Sequence, residues 1–321
     1  MTYPLFSPAF AEPISISAGK FPASIQAFQK DLQTGLVDVD FQHQPRHQLL
    51  FVGGKLVNVY AFGDEIKRID PEMWLESFNG SSPAASLRAL ALPTQAVRII
   101  KILIEQRDDA RFITPPDLSL EEQFVAWKNH TSPALAHIRW PSADGLALFP
   151  GKGGLPSYTL FVAADQILHS AGSMMAFLGW KETCNSAVLF SSEPLTQAWT
   201  EYLLHSAFSS LVSYLLERFE ELTGRILLNQ IIRDINFTSA AHGWNVSINS
   251  TNITDQAIFS SPQAAAEMYS RLLEVITRHI ASILGSDMLD LLMRETIFRL
   301  SKPGREVLKE YLLITTQMDG V

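Results

Sequence analysis

Two imidazoles stand four residues apart in His43-Gln44-Pro45-Arg46-His47, a spacing that on a helix would turn both rings to one face for a metal ion. Pro45 lies between them and β-type runs flank them, so the stretch reads as a hairpin loop and no metal site is assigned. The single cysteine, Cys184 in GWKETCNSAV, would be a nucleophile if a cation or a helix start stabilised its thiolate and His169 or His205 approached it. Lys181 alone is weak support, and the reading is a small buried hydrophobe. The acidic pairs Asp108-Asp109 and Glu220-Glu221 lack the apolar enclosure that would raise one carboxyl for acid/base work.

Two glycine-rich turns raise the question of phosphate. Gly53-Gly54-Lys55 sits in LLFVGGKLVNVYAFGDE, and Gly151, Lys152, Gly153 and Gly154 sit in FPGKGGLPS. A phosphate loop needs a run of backbone N–H groups leading into a helix start. Here a strand follows each turn, and Pro156 removes a donor, so both read as structural reversals between strands. No catalytic or cofactor-binding residue is assigned, and no cofactor is expected. The rival class is a small-molecule sensor or enzyme whose pocket, between the two halves, gathers several of His137, Asp165, His169, Cys184 and His205.

The elements that must position these residues fall in 321 positions, enough for two domains. A net charge of −8 and 25 scattered Lys and Arg disfavour nucleic acid as a ligand. No stretch has the length of a membrane span and the start lacks a secretion-signal pattern, so a cytoplasmic protein without membrane insertion is expected. The lone cysteine fits a reducing compartment.

Residues 21–33 have helical spacing, 36–41 alternate as a strand, and HQLLFV with KLVNVYAF supply two more strands. Helical spacing returns over 65–80 and 93–107. Charges and Pro115-Pro116 in 107–122 place a domain boundary at 115/116. A second β-region covers 134–140, 145–149, 158–163, 166–171 and 187–190. LFVGGKLVN (50–58) and LFVAADQILH (160–169) share a pattern that either repeats one hairpin or reflects how alike amphipathic hairpins are. Apolar residues recur over 195–236 as one long helix or two joined at Thr223-Gly224. A polar hairpin or loop covers 243–259, and Ser261-Pro262 starts a helix running to Gly285. Ser286 is read as the cap of the next helix, and Pro303-Gly304 precede the last. The expected fold class is α+β: residues 1–115 as a helix plus β-meander, and 116–321 as a second β-region followed by a helical layer.

Thr34 and Gly35 before a strand, then Phe51, Gly54, Lys55, Leu56 and Val57 in the following hairpin, resemble the PATAN-type domain over about residues 15–107. That resemblance implies a bacterial signalling protein working through protein contacts rather than catalysis. Members often stand beside receiver domains, yet no receiver-type acidic cluster follows here. The implied function is a non-enzymatic interaction or regulatory module whose protein partner the sequence does not name. Only 18% of residues are charged, and bulky groups cover two faces of 195–235, which predicts a homodimer with Leu211 and Leu215 in its contact.

Overall fold

Strands and helices follow one another twice in the same order along the chain. The computed structural model describes Phe6 and residues 12–31, 34–41, 44–78, 83–105, 111–113, 119–151, 155–164, 166–169, 171–191, 193–259 and 261–311. The first series is β1 (Ile14–Ile16), α1 (Phe21–Asp31), β2 (Gly35–Phe41), β3 (Arg46–Val52), β4 (Lys55–Phe62), β5 (Ile66–Ile69), α2 (Pro71–Glu76), β6 (Ala85–Ala91) and α3 (Thr94–Glu105). The second is β7 (Arg111–Ile113), α4 (Leu120–Lys128), β8 (Ala134–Arg139), β9 (Ala143–Phe149), β10 (Tyr158–Ala163), β11 (Gln166–His169), α5 (Ala171–Gly179), β12 (Ser186–Phe190) and α6 (Glu193–Thr223).

The sheets repeat as well. Spatial order is β1-β6-β2-β3-β4-β5 in one and β7-β12-β8-β9-β10-β11 in the other, with every pairing antiparallel. The α+β class is therefore built on a duplicated topology. The hairpin comparison set β3–β4 against β10–β11, whereas the topology sets β3–β4 against β9–β10. Period-2 alternation carries no register of its own, so a one-strand slip looks equally good in sequence.

Each copy packs helices on one sheet face. In the first, Val37, Val39, Leu49 and Val59 meet Phe21 and Ile25 of α1 and Trp74 of α2. In the second, Ala136, Ile138, Ala147 and Phe161 meet Phe124 and Trp127 of α4 and Phe177 of α5. The helical spacing over 65–80 is corrected: 66–69 is the edge strand β5, and α2 begins only after the Asp70 cap, whose carboxylate accepts from the N–H groups of Glu72 and Met73. The helices α4 and α5 were not anticipated.

The chain divides into two compact units, Met1–Thr196 and Gln197–Val321. The expected boundary at 115/116 lies outside the described residues. It falls after β7, a strand that pairs with β12 of the second sheet.

In the second unit the rest of α6 is followed by α7 (Arg225–Ala241), the hairpin β13 (Val246–Asn249) with β14 (Asn252–Asp255), α8 (Pro262–Leu284), α9 (Ser286–Arg299) and α10 (Lys302–Glu310). Ser261 caps α8 by accepting from the Ala264 N–H, and Pro262 occupies its first turn. The residue at the cap of α9 is Gly285 rather than Ser286, and it offers no side-chain bond. Leu211, Leu215, Phe219, Ile231, Leu272 and Ile276 form the core between these helices. Among the described residues no helix is long and apolar enough to cross a membrane.

Candidate functional site

The glycine turn of the first copy spends its polar groups internally. Gly53 and Gly54 have φ of 57° and 76°, the left-handed geometry of a tight two-residue reversal. The Gly53 N–H donates to Thr34 Oγ1 at 3.0 Å. A Cβ on Gly54 would stand 2.8 Å from the Gln29 carbonyl oxygen of α1. At the matching β9–β10 turn Gly151 has φ of 80°, and its Cβ would meet the Ser132 backbone at 2.7 Å, just past α4. Each turn thus abuts backbone near its copy's first helix, Gly54 against the last turn of α1 and Gly151 against the segment between α4 and β8. Gly153 and Gly154 lie outside the described residues.

The other candidates scatter. His47 is buried on β3 and borders the Phe41 and Trp74 rings, and that burial lowers its pKa; His43 lies outside the described residues. His137 Nε2 sits 3.1 Å from Asp144 Oδ1, which also accepts from Arg139 Nε at 3.1 Å. In the second unit His205 Nδ1 lies 2.6 Å from Asp255 Oδ2. That oxygen also accepts from the Tyr269 hydroxyl at 2.5 Å, and Asp255 Oδ1 accepts from the Ala257 N–H at 2.8 Å. This cluster ties α6, β14 and α8 together. Among the described residues no group of three or more His, Cys, Asp or Glu could hold a metal ion.

Leu211 and Leu215 are corrected as contact residues. Both are fully buried in the second unit's own core and present no surface to another molecule. A helix apolar on two faces is satisfied here by α7 and α8 of the same chain.

The second β-copy holds a cavity of about 490 Å³. Leu120 of α4, Trp140 after β8, Phe177 of α5 and Trp180 form its apolar wall, and Glu182, Cys184 and Asn185 lie along the segment leading into β12. The Glu182 carboxylate accepts from Ser142 Oγ at 2.7 Å, from the Ser142 N–H at 3.0 Å and from Trp180 Nε1 at 3.1 Å. The Ser142 hydroxyl first and the Trp180 N–H second hold it below the usual carboxylate range. Cys184 is half-buried, donates to the Ser186 carbonyl at 3.2 Å and is pushed up by burial, the opposite of an activated nucleophile. The lining includes none of His137, His169 and His205, and Asp165 lies outside the described residues.

The first copy fills the corresponding corner. Phe21 begins α1 as Leu120 begins α4, and Phe41 ends β2 where Trp140 follows β8. Phe21, Phe41, Trp74 and Phe78 interlock there with centroid spacings of 4.9–6.5 Å. Of this cavity sequence reasoning weighs Cys184 as a chemical group and reads Trp140 and Trp180 as core or interface anchors. Its other walls come from segments far apart in the chain, with no common spacing to reveal them.

No protein-family model, curated protein or solved structure matches this chain.

Proposed function

We propose that the chain is a non-enzymatic regulatory module of a bacterial signalling system that works through protein contacts, the first of them with a second copy of itself. The observation that supports this most is the bare apolar face of α9. Met288, Leu291 and Phe298 recur at helical spacing on its outer side, Phe298 at 83% exposure, while Leu292, Met293 and Ile297 point inward. Along the same helix Asp287 and Asp290 stand near the start, and Arg294 and Arg299 flank Glu295 near the end, where Glu295 is paired with Arg218. Two such helices related by a two-fold axis and running antiparallel would set Asp287 and Asp290 of one copy against Arg294 and Arg299 of the other. The resemblance of residues 15–107 to the PATAN-type domain supports the signalling context.

Light scattering at micromolar concentration tests the contact. Twice the chain mass of 35.7 kDa is expected for the wild type. Phe298→Glu is expected to give a folded monomer with unchanged secondary structure by circular dichroism, because an exposed side chain leaves the core intact. A wild-type monomer, or a dimer indifferent to Phe298→Glu and Leu291→Glu together, overturns the α9 contact. A small-molecule sensor is the second reading, and the cavity of the second β-copy is what favours it.

A further inference from the structure

We infer that the cavity in the second β-copy binds a small organic cation, an amine carried on an aromatic or alkyl body. This rests on the sensor reading and is independent of self-association. The volume of about 490 Å³ falls within the range of roughly 300–1,000 Å³ typical of small-molecule sites. Trp140, Phe177 and Trp180 supply apolar ring surface, and indole faces attract a cation through their negative π-clouds. Among the described residues Glu182 is the one charged side chain in the lining, and Lys181, its neighbour in the chain, is not part of that lining. Bonds from Ser142 and Trp180 keep that carboxylate ionised, so the charge stands in place before a ligand arrives. An amine gains both ring and carboxylate contacts. A carboxylate or phosphate of the same shape meets like charge, with no cationic side chain among the described lining residues.

The duplicated fold makes the opening specific to this copy. Where Leu120 and Trp180 leave space, the first copy sets Phe21 and Phe78 at 4.9 Å from each other. On β9, Gly145 has no side chain, and a Cβ there would stand 2.1 Å from the Phe177 ring. The position across from it in the first copy, His47 on β3, carries a full imidazole against Trp74. Phe177 therefore sits down on the strand and becomes wall rather than filling.

Cys184 lines the cavity and is the chain's only cysteine, so its alkylation by the neutral reagent iodoacetamide reports occupancy in the intact protein. Tryptamine and indole-3-acetate share a ring and differ in charge. Tryptamine is expected to raise the melting temperature and to slow Cys184 alkylation, while indole-3-acetate does neither at the same concentration. Glu182→Gln should weaken tryptamine protection by about tenfold, the loss of one charge contact. Leu120→Phe, which transplants the first copy's filling residue, should abolish protection while keeping the fold. Should Glu182→Gln unfold the loop, the wild-type contrast and Leu120→Phe still decide the matter. Equal protection by both indoles, protection by neither, or tryptamine binding undiminished in Leu120→Phe overturns the proposal.

Discussion

The two β-copies share one topology and use it in opposite ways. A transverse row on the sheet face away from α1 and α2 runs Arg88–Asp38–Gln48–Tyr60–Arg68 across five strands of the first copy. The matching row in the second runs Val188–His137–Leu146–Leu160–His169. The first is polar and reaches α3, where the Tyr60 hydroxyl donates to Glu105 Oε1 at 2.9 Å. The second is apolar through its middle. Between β2 and β3, Arg46 donates to the Asp38 carboxylate at 2.6 Å; at the matching positions His137 faces Asp144, so acid and base have exchanged strands. Topology is thus fixed by the alternation of the inward faces, while the polar pairs and the filling of the corner are free to diverge. A filled aromatic corner in one copy and a cavity in the other is that divergence in its most consequential form.

The largest effect should come from a position where the copies differ by one methyl group. Gly35 begins β2, and a Cβ there would stand 2.1 Å from the Leu90 carbonyl oxygen of β6. Its counterpart Ala134 begins β8, opposite Phe149 as Gly35 is opposite Phe51, and carries its Cβ fully buried. Gly35→Ala must push β6 off β2, and overpacking plus backbone strain predicts a loss of about 4 kcal/mol. The reverse change, Ala134→Gly, should cost only about 1 kcal/mol. Urea unfolding of both variants is the measurement. Equal losses would mean that the two strand starts are not equivalent in packing.

A smaller effect is expected from the exchanged acid–base pairs. Burial, opposed first by Arg46 and then by Arg88, raises the Asp38 pKa from 3.8 to about 6. The folded protein therefore takes up this proton before the unfolded chain does. Stability contributed through Asp38 is full below pH 3.8 and is lost as pH rises through 6, a swing of about 3 kcal/mol across that window. Asp38→Asn should lose that slope, so the difference between variant and wild-type stability curves should carry it between pH 4 and 7. Asp144→Asn, whose carboxylate serves both His137 and Arg139, should instead destabilise at neutral pH by about 2 kcal/mol. If the Asp38→Asn difference is flat from pH 4 to 7, the buried carboxyl is not the proton acceptor.

Much of this architecture was readable from residue patterns, and the exceptions have physical reasons. β2, β3, β4 and β10 alternate or run apolar, and α3 and α8 show helical spacing with clear ends, so type and extent agree with expectation, while α7 was expected to 236 and runs on to Ala241. β5, with the sequence Ile-Lys-Arg-Ile, is an edge strand that buries no side chain fully, and its spacing of three imitates a helix. α4 has a capping box, Ser119 with Glu122, hidden within a charged and proline-bearing stretch that reads as linker. α5, Ala-Gly-Ser-Met-Met-Ala-Phe-Leu-Gly, is apolar nearly all round and has no periodicity to detect. Leu211 and Leu215 were legible as apolar but not as interior, because excess apolar surface on a helix does not say whether its own chain or another covers it. The cavity was illegible for a different reason. Leu120 lines it where the first copy sets the Phe21 ring, and that difference shows only when the two copies are compared.

The smallest predicted effect concerns the turns that first suggested phosphate. Gly54 and Gly151 share a positive φ and the same close approach to backbone behind the first helix of their copy, at 2.8 Å from Gln29 and 2.7 Å from Ser132. Left-handed strain and a carbonyl that must retreat a few tenths of an ångström predict that Gly54→Ala and Gly151→Ala each lose about 1–2 kcal/mol. The Gln29 carbonyl lies in the last turn of α1 and Ser132 in the segment joining α4 to β8, so both can yield where the Leu90 carbonyl, held between strands, cannot. That is why these losses fall below the loss at Gly35. The amides around Gly53 are already engaged, one of them with Thr34, so neither substitution should alter any response to inorganic phosphate. Thermal melts with and without millimolar phosphate check both parts. Matched losses support the equivalence of the two turns, and a phosphate-dependent stabilisation that vanishes only in Gly54→Ala would make the first turn an anion site and break the comparison there.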